Sequence, residues 1–196
     1  MDKLKVKVIL GSTRQGRFSD KVGAWFLGET KKNPDIDAEI LDLRDYPMPF
    51  FDEPVSTSSK KEPFKNEAVA KWTAKIAEAD AYVIIAPEYN HSMPAVLKNA
   101  LDYVYQEWNN KPLGFVSYGS VMGARSVEQL RLIAVELQLV PIRNTVHVPV
   151  DVLVKAAGWA GPADPSVLST LDDKAKGLLE QLTWWGNALK VARAKA

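Results

Sequence analysis

A turn rich in hydroxyls and arginines follows the first apolar stretch of the chain. It reads Gly11-Ser12-Thr13-Arg14-Gln15-Gly16-Arg17-Phe18-Ser19 and runs into a helical pattern that begins at Ser19. At such a turn, free N–H groups and the positive end of the helix dipole attract an anion, and either arginine can add a charged fork. The turn therefore predicts a phosphate site. Its candidate binding residues are Ser12, Thr13, Arg14, Gly16, Arg17, Phe18 and Ser19.

Two other phosphate motifs do not fit this turn. A Walker loop needs Lys and then Ser or Thr after its second glycine, whereas Arg17 and Phe18 follow Gly16. The dinucleotide fingerprint G-x-G-x-x-G fails because residue 13 is Thr. These mismatches disfavour a nucleotide triphosphatase and a dinucleotide-only enzyme, and they leave a plain polar turn as the alternative.

A second loop has residues that suit a flat heteroaromatic ring. It reads Pro87-Glu88-Tyr89-Asn90-His91-Ser92-Met93-Pro94 and follows an almost wholly apolar segment, 81–86. Its backbone can pair with the polar edge of a ring, and Tyr89 offers an aromatic contact. Glu88 and His91 also permit acid–base catalysis, but no nearby nucleophile completes such a set. The candidate binding residues are Pro87, Glu88, Tyr89 and Asn90.

A third loop, Ser117-Tyr118-Gly119-Ser120-Val121-Met122-Gly123-Ala124-Arg125, combines glycines, serines and a tyrosine before another helical pattern. Glycines let the backbone approach a ligand closely, so the loop is either a tight turn or a ligand wall. Its candidate binding residues are Ser117, Tyr118, Gly119 and Ser120. In none of the three loops do we predict a catalytic side chain or a metal ligand.

These loops follow segments that have the pattern of strands. The predicted strands cover residues 4–10, 36–43, 81–86, 113–117 and 140–148, and helical patterns start at about residues 19, 67, 94, 124 and 166. Five strands that alternate with five helices indicate a doubly wound α/β fold, whose ligand crevice lies beyond the carboxyl ends of the strands. The wholly apolar third strand is predicted to be central, and Pro141 places the fifth strand at an edge.

Two further segments carry expectations of their own. Residues 44–66 hold four prolines and form a long surface loop, either a functional lid or a packed excursion. In the last helix, the pair Trp184-Trp185 is predicted to pack on the sheet.

The composition limits the classes of function. With 196 residues, 46% of them apolar, residues 1–196 are expected to form one domain. The 25 basic and 24 acidic residues nearly cancel, which disfavours nucleic acid and anionic membranes as partners. Without cysteine, redox chemistry requires a bound organic cofactor. The sequence has neither the apolar stretch of a signal peptide nor a run of roughly 20 apolar residues, so we expect a cytoplasmic protein with no membrane insertion.

Taken together, the three loops resemble those of the NADPH-dependent FMN reductases, a family that includes chromate, quinone and azo-dye reductases. Gly-Ser-Thr-Arg at 11–14 with Gly16-Arg17 is similar to its phosphate loop, and Pro87-Glu88-Tyr89-Asn90 with the helix at 97–102 is similar to its flavin-ring loop. Gly123-Ala124-Arg125 resembles its third loop. The resemblance covers about residues 4–148. Two departures are Arg17-Phe18-Ser19, where many members carry Ser-x-Asn, and Met122, where others have glycine.

The resemblance implies a flavodoxin-like sheet of strand order 2-1-3-4-5 and non-covalent FMN. It places the phosphate on residues 12–19, the ring edge on 87–90 and the other flank of the ring near 118–120. It also implies NADPH or NADH as co-substrate, ping-pong hydride transfer to flavin, quinone or azo acceptors, and a homodimer or homotetramer. A flavodoxin-type electron carrier and a flavin-free regulatory domain of the same fold are the alternatives.

Overall fold

The structure is a computed structural model that describes residues 2–60 and 62–195. Five strands and six α-helices follow one another along the described chain: β1 Leu4–Leu10, α1 Ser19–Thr30, β2 Ile36–Asp42, α2 Glu67–Ala77, β3 Ala81–Pro87, α3 Ala95–Asp102, β4 Pro112–Tyr118, α4 Ala124–Glu136, β5 Val140–His147, α5 Val150–Ala157 and α6 Asp172–Arg193. Short 3₁₀ helices cover Leu43–Asp45, Gln106–Trp108 and Pro165–Leu171.

The strands form one parallel sheet in the order β2-β1-β3-β4-β5, which confirms the predicted flavodoxin-like topology. The register brings the carboxyl ends of the strands to one edge of the sheet: Leu10 lies beside Asp42 and Ile85, and Pro87 lies beside Tyr118. The turns after β1, β3 and β4 therefore meet at that edge. The central place of β3 and the edge place of β5 are also as predicted.

The core has two layers because the side chains of each strand alternate between the faces of the sheet. Val83 and Ile85 of β3 pack toward α1, α5 and α6, whereas Tyr82 and Ile84 pack toward α2, α3 and α4. Every residue of β3 and β4 is buried, which explains their nearly continuous apolar sequences. The sheet thus holds the three turns on a rigid base.

The helix α5 was not predicted, and the expected count of five helices is wrong. Its sequence, VDVLVKAA, is rich in the β-branched residues that favour strands, and it follows directly on β5. Tertiary packing stabilises the helical conformation, because it buries Leu153 and Ala156 in the core. Gly158 ends the helix with a φ of 81°.

The prediction that both tryptophans of α6 pack on the sheet is wrong for Trp184, whose side chain is 65% exposed. The buried face of the helix is formed by Leu178, Leu182 and Gly186, and Trp184 lies on the other side of the helix. Trp185 packs against the core as predicted. A Cβ on Gly186 would lie 2.6 Å from the side chain of Leu4, so the glycine lets α6 cross β1 at close range.

Across the residues that the structure describes, we find no helix with the length and the apolar sequence needed to span a bilayer.

Candidate functional site

The turn after β1 exposes backbone donors at the start of a helix. Phe18 is the N-cap residue of α1, and its side chain makes no capping hydrogen bond. Among the described residues, the backbone N–H groups of Thr13, Gln15 and Gly16 have no acceptor. Since uncapped N–H groups and the helix dipole favour a negative charge, this turn has the donor set of a phosphate cradle.

The two arginines of this turn have different surroundings. The Arg14 side chain lies at the surface, with its guanidinium carbon 5.5 Å from the centre of the Tyr89 ring. The Arg17 side chain is only 1% exposed and is paired with Asp42 and Asp20. The sequence offered either arginine as the charged fork, but only Arg14 is accessible to a ligand in this structure.

Hydroxyl groups connect the three predicted loops. The Ser12 Oγ lies 2.7 Å from the hydroxyl of Tyr89, and the Ser19 Oγ lies 2.6 Å from that of Tyr118. The rings of Phe18 and Tyr118 meet edge to face, 5.2 Å apart. Burial raises the pKa of Tyr118 to about 12, so its hydroxyl stays protonated at neutral pH. The structure therefore joins at one site residues that lie up to about a hundred positions apart in the chain.

The loop after β3 is a two-residue turn. The Tyr89 N–H donates to the Ser92 carbonyl at 2.9 Å, and the Ser92 N–H donates back to the Tyr89 carbonyl at 3.1 Å. Between them, Asn90 and His91 have φ values of 48° and 75°, the left-handed pair of a type I′ turn. Asn and His are among the few residues that tolerate this conformation. Both side chains are exposed at the tip of the turn.

Glu88 is bound to protein partners. Its side chain is 3% exposed and forms an ion pair with Arg125 at the start of α4. The Arg125 Nε donates to Oε1 at 2.6 Å and the Arg125 N–H donates to Oε2 at 3.2 Å. A carboxylate at this position also complements the dipole of α4. Glu88 thereby ties the turn after β3 to the helix after β4, and it is not placed as a free base.

The loop after β4 is stabilised by a histidine from the edge strand. The Ser117 Oγ donates to the Met122 carbonyl at 2.8 Å and lies 2.8 Å from His147 Nδ1. Met122 and Gly123 have φ values of 59° and 75°, and a Cβ on Gly123 would lie 2.8 Å from the Tyr118 nitrogen. Glycine is therefore required at 123, and the loop is a tight turn as well as a possible ligand wall.

Sequence reasoning missed several residues of this site. Asp42, Arg44, Arg125 and His147 all hold one of the three loops in place. Asp42 and Arg44 follow the second strand, which the predicted strand order puts beside the first, so the topology was a signal that could have found them. Nothing in the local sequence of Arg125 or His147 points to its partner.

The combined donor set suits an anionic ligand with a flat ring. Exposed N–H groups and Arg14 can receive a phosphate, while the two tight turns present backbone groups and Tyr89 to a ring. Among the described residues, no group of three His, Asp or Glu side chains is placed to hold a metal ion. These features fit FMN, whose terminal monophosphate and polar ring edge need those two kinds of partner.

A five-stranded parallel sheet of this order, with an anion cradle after its first strand at the switch point between β1 and β3, defines the flavodoxin-like class. The comparisons with known proteins narrow the class. The family model of the NADPH-dependent FMN reductases matches residues 4–152, and the chain belongs to this family.

Relatives agree with this assignment, and a solved structure shares the fold. An NAD(P)H-dependent FMN reductase of Schizosaccharomyces pombe is 36% identical over 165 residues, which are 83% of this chain and 80% of the relative. An NADPH:quinone oxidoreductase of Arabidopsis thaliana is 32% identical, with 69% of each chain covered. The solved structure of the flavoenzyme NAD(P)H:(acceptor) oxidoreductase FerB of Paracoccus denitrificans shares the fold, with a TM-score of 0.68 at 18% identity and coverage of 91% of this chain and 97% of that one.

The protein is therefore an oxidoreductase that uses FMN and NAD(P)H. This result confirms the enzyme class and the cofactors that the sequence motifs implied.

Proposed function

We propose that the protein uses NADPH or NADH to reduce flat acceptors, such as flavins, quinones or azo compounds, in a ping-pong reaction. Bound FMN would supply the redox chemistry, taking a hydride from the nicotinamide and then passing electrons to the acceptor. The observation that carries the proposal is the meeting of the three loops at one sheet edge through the contacts of Tyr89 and Tyr118 with the phosphate loop.

Each loop has its own role in this proposal. The phosphate is bound by the turn after β1, through exposed N–H groups and the exposed side chains of Thr13 and Arg14, with Gly16 giving the turn its shape. The buried hydroxyls of Ser12 and Ser19 join this turn to Tyr89 and Tyr118. The polar ring edge lies on the backbone of residues 87–90, and residues 118–120 form its other flank. Arg17, Phe18 and Ser117 support these contacts from behind, because their side chains are buried against protein partners.

The protein itself need not donate or accept a proton at the ring. Glu88 is the only carboxylate in the three loops, and it is neutralised by Arg125. The acid–base alternative for Glu88 and His91 is therefore disfavoured. The nicotinamide and the acceptor would use the same face of the flavin in turn, each leaving before the other enters, which favours a ping-pong order. The name of the Arabidopsis relative supports quinones as one acceptor class.

We also infer that residues 1–196 act as one FMN-binding domain and that the protein is a homodimer or homotetramer. Exposed apolar side chains on α4 support the oligomer, since Leu132 is 69% and Val135 is 66% exposed. Light scattering on the purified protein would measure the mass, and a monomer would contradict this part of the proposal.

Anaerobic stopped-flow spectroscopy tests the reaction. NADPH without acceptor should bleach the absorbance of the bound flavin, and a quinone added afterwards should restore it. Bleaching that requires the quinone to be present would contradict the ping-pong order. No bleaching by either nicotinamide nucleotide would indicate an electron carrier that is reduced by another protein.

A further inference from the structure

Three consecutive carbonyl groups in the turn after β1 accept hydrogen bonds from arginine side chains. The Arg17 Nη1 donates to the Ser12 carbonyl. The Arg44 Nε donates to the Thr13 carbonyl at 3.3 Å, and its Nη2 donates to the Arg14 carbonyl. The turn therefore has its carbonyl side against two guanidinium groups.

The other side of the same peptide units carries the free donors. In a planar trans peptide, the N–H group points opposite to the carbonyl of the preceding residue. The N–H groups of Thr13 and Gln15 thus point away from the arginines, and both have no acceptor among the described residues. The N–H of Arg14, which lies between them, donates to the Ser12 Oγ at 3.3 Å.

The two arginines belong to a closed network of charges. Asp42, at the end of β2, accepts hydrogen bonds from the Arg17 guanidinium at 2.7 Å and from the Arg44 N–H at 2.9 Å. Asp20 accepts from the Arg17 Nε at 2.7 Å and lies 3.8 Å from the Arg44 guanidinium. Two positive and two negative side chains leave the network with no net charge. Arg14, by contrast, has no ion pair within the described part of the chain.

The charges of the network are stable at neutral pH. Burial acts to lower the pKa of Arg17, but hydrogen bonds and charge from Asp42 and Asp20 outweigh it and raise that pKa. Burial acts to raise the pKa of Asp42, but Arg17 and Arg44 lower it. Two parallel hydrogen bonds hold the Arg17 guanidinium to the Asp42 carboxylate, and a single ammonium group cannot reproduce this fork.

We propose that Arg17 and Arg44 are positioning residues for the FMN phosphate, anchored by Asp42. They bind the carbonyl side of the turn, so that the N–H groups of Thr13 and Gln15 face the phosphate. Without them, the peptide units can rotate and present carbonyl oxygens to an anion, which repels it. This inference rests on the proposed function, and it gives the phosphate contact itself to Arg14 and the backbone.

The test compares variants by their affinities for FMN and riboflavin, measured by quenching of flavin fluorescence at about 50 and about 500 mM salt. Arg17→Met and Arg44→Met should each bind FMN about tenfold more weakly, whereas riboflavin affinity, which needs no phosphate cradle, should change by less than about twofold. Because either variant leaves the network with a net charge of −1, the weaker FMN binding should persist at about 500 mM salt, where that charge is screened. Arg143→Met, at an exposed position on β5, is the matched control and should change nothing.

Two further variants separate the possible roles. Arg17→Lys keeps the charge but not the fork, so it should bind FMN as weakly as Arg17→Met. Arg14→Met removes a direct contact and should reduce the salt dependence. If Arg17→Lys restores FMN binding, the charge of Arg17 is sufficient without the fork, and the inference is wrong.

Equal losses for FMN and riboflavin, or a lower melting temperature with unchanged FMN affinity, would show a role in the fold alone and would also overturn the inference. If Arg17→Met does not fold, Arg44→Met decides, because the Arg44 side chain is 38% exposed and its loss leaves the Arg17–Asp42 pair intact. Failure of the proposed function has a different signature: the parent protein itself would not bind FMN.

Discussion

Arg14 and Arg17 lie three residues apart on the same turn, yet their side chains serve opposite sides of it. Arg14 lies at the surface beside Tyr89, on the ligand side. Arg17 is buried against Asp42 on the far side, and it binds the carbonyl of Ser12. Charge alone therefore does not identify a phosphate ligand, because a buried guanidinium with a carboxylate partner adds little net charge to the cradle.

Replacing Arg14 by Ala should weaken FMN binding by about 1–3 kcal/mol, the usual loss for a charge-assisted hydrogen bond. Riboflavin lacks the phosphate, so its affinity should change little. Titration of the flavin fluorescence measures both affinities. Equal losses of affinity for FMN and riboflavin would show that Arg14 acts by packing against Tyr89 and not by binding the phosphate.

Glu88 and His91 test whether a side chain takes part in the chemistry. Glu88→Gln and His91→Ala should each oxidise NADPH with a quinone acceptor at a rate within roughly tenfold of the parent, since loss of a true general acid or base costs about 10²–10⁴. The remaining effect would come from a looser turn, because Glu88 binds Arg125. A loss of about a thousandfold in flavin reduction, with FMN still bound, would assign a proton-transfer role to the residue.

At the scale of elements, side chains from two helices stabilise an irregular part of the edge strand β5. The pairing of β4 with β5 is interrupted between Leu113 and Phe115. Arg131 of α4 donates to the Ile142 carbonyl at 2.8 Å, and the Asn144 N–H donates to Gln181 of α6 at 2.7 Å. These bonds give partners to backbone groups of β5 at the interruption of the β4–β5 ladder. Helices α4 and α6 therefore stabilise β5 where its pairing with β4 is irregular.

A second feature at this scale is Lys111, which precedes β4 and whose side chain contacts the carboxyl end of α2. Lys111 is 7% exposed, and its Nζ lies 3.3 Å from the carbonyls of Ile76 and Ala77 and 3.1 Å from the hydroxyl of Tyr82. Carbonyls at the end of a helix attract a cation. Burial nevertheless dominates and lowers the pKa of Lys111 from 10.5 to about 8.

This lowered pKa predicts a dependence of stability on pH. Between about pH 8 and pH 10.5 the unfolded chain binds more protons at Lys111 than the folded chain does, so the contribution of this lysine to the free energy of unfolding rises with pH in that window. Lys111→Met cannot titrate there. The free energy of unfolding of the parent relative to Lys111→Met should therefore rise by about 1–3 kcal/mol across the window.

Urea denaturation of both proteins at several pH values measures this difference, and groups common to both cancel. The lost hydrogen bonds to Ile76 and Ala77 add an offset that does not depend on pH. Parallel curves for the two proteins would show that Lys111 has the same pKa in the folded and unfolded chains.

At the scale of the whole molecule, the ligand site joins the sheet to helices on both of its faces. The turn after β1 leads into α1 on one face, and the turns after β3 and β4 lead into α3 and α4 on the other. Contacts of Ser12 with Tyr89 and of Ser19 with Tyr118 connect them. A ligand that binds these turns together is expected to stabilise the whole fold.

FMN at about 100 times its dissociation constant should stabilise the folded protein by about 2.7 kcal/mol. For a chain of this size, this corresponds to an increase of about 5–10 °C in melting temperature. Differential scanning fluorimetry with a dye that does not overlap flavin emission measures the shift. AMP, a monophosphate without the flavin ring, is the control, and an equal shift with AMP would contradict recognition of the ring.

Local sequence determined the framework of this protein. The strands, the central place of β3 and the three polar loops follow from patterns over a few residues, because side-chain periodicity and the limits of proline and glycine act between close neighbours. Pro141 identified the edge strand in the same way. The motifs of the three loops were sufficient to predict the family, FMN and NAD(P)H.

Tertiary structure decided which partner each polar or ambiguous side chain takes. Asp42 stands 25 positions from Arg17, and only the pairing of β2 with β1 brings it to the phosphate loop. The helical state of α5 and the exposure of Trp184 were likewise settled by packing against distant segments. The physical reason is that ion pairs and core contacts depend on distance in space, whereas local sequence patterns report only which face or turn a residue occupies.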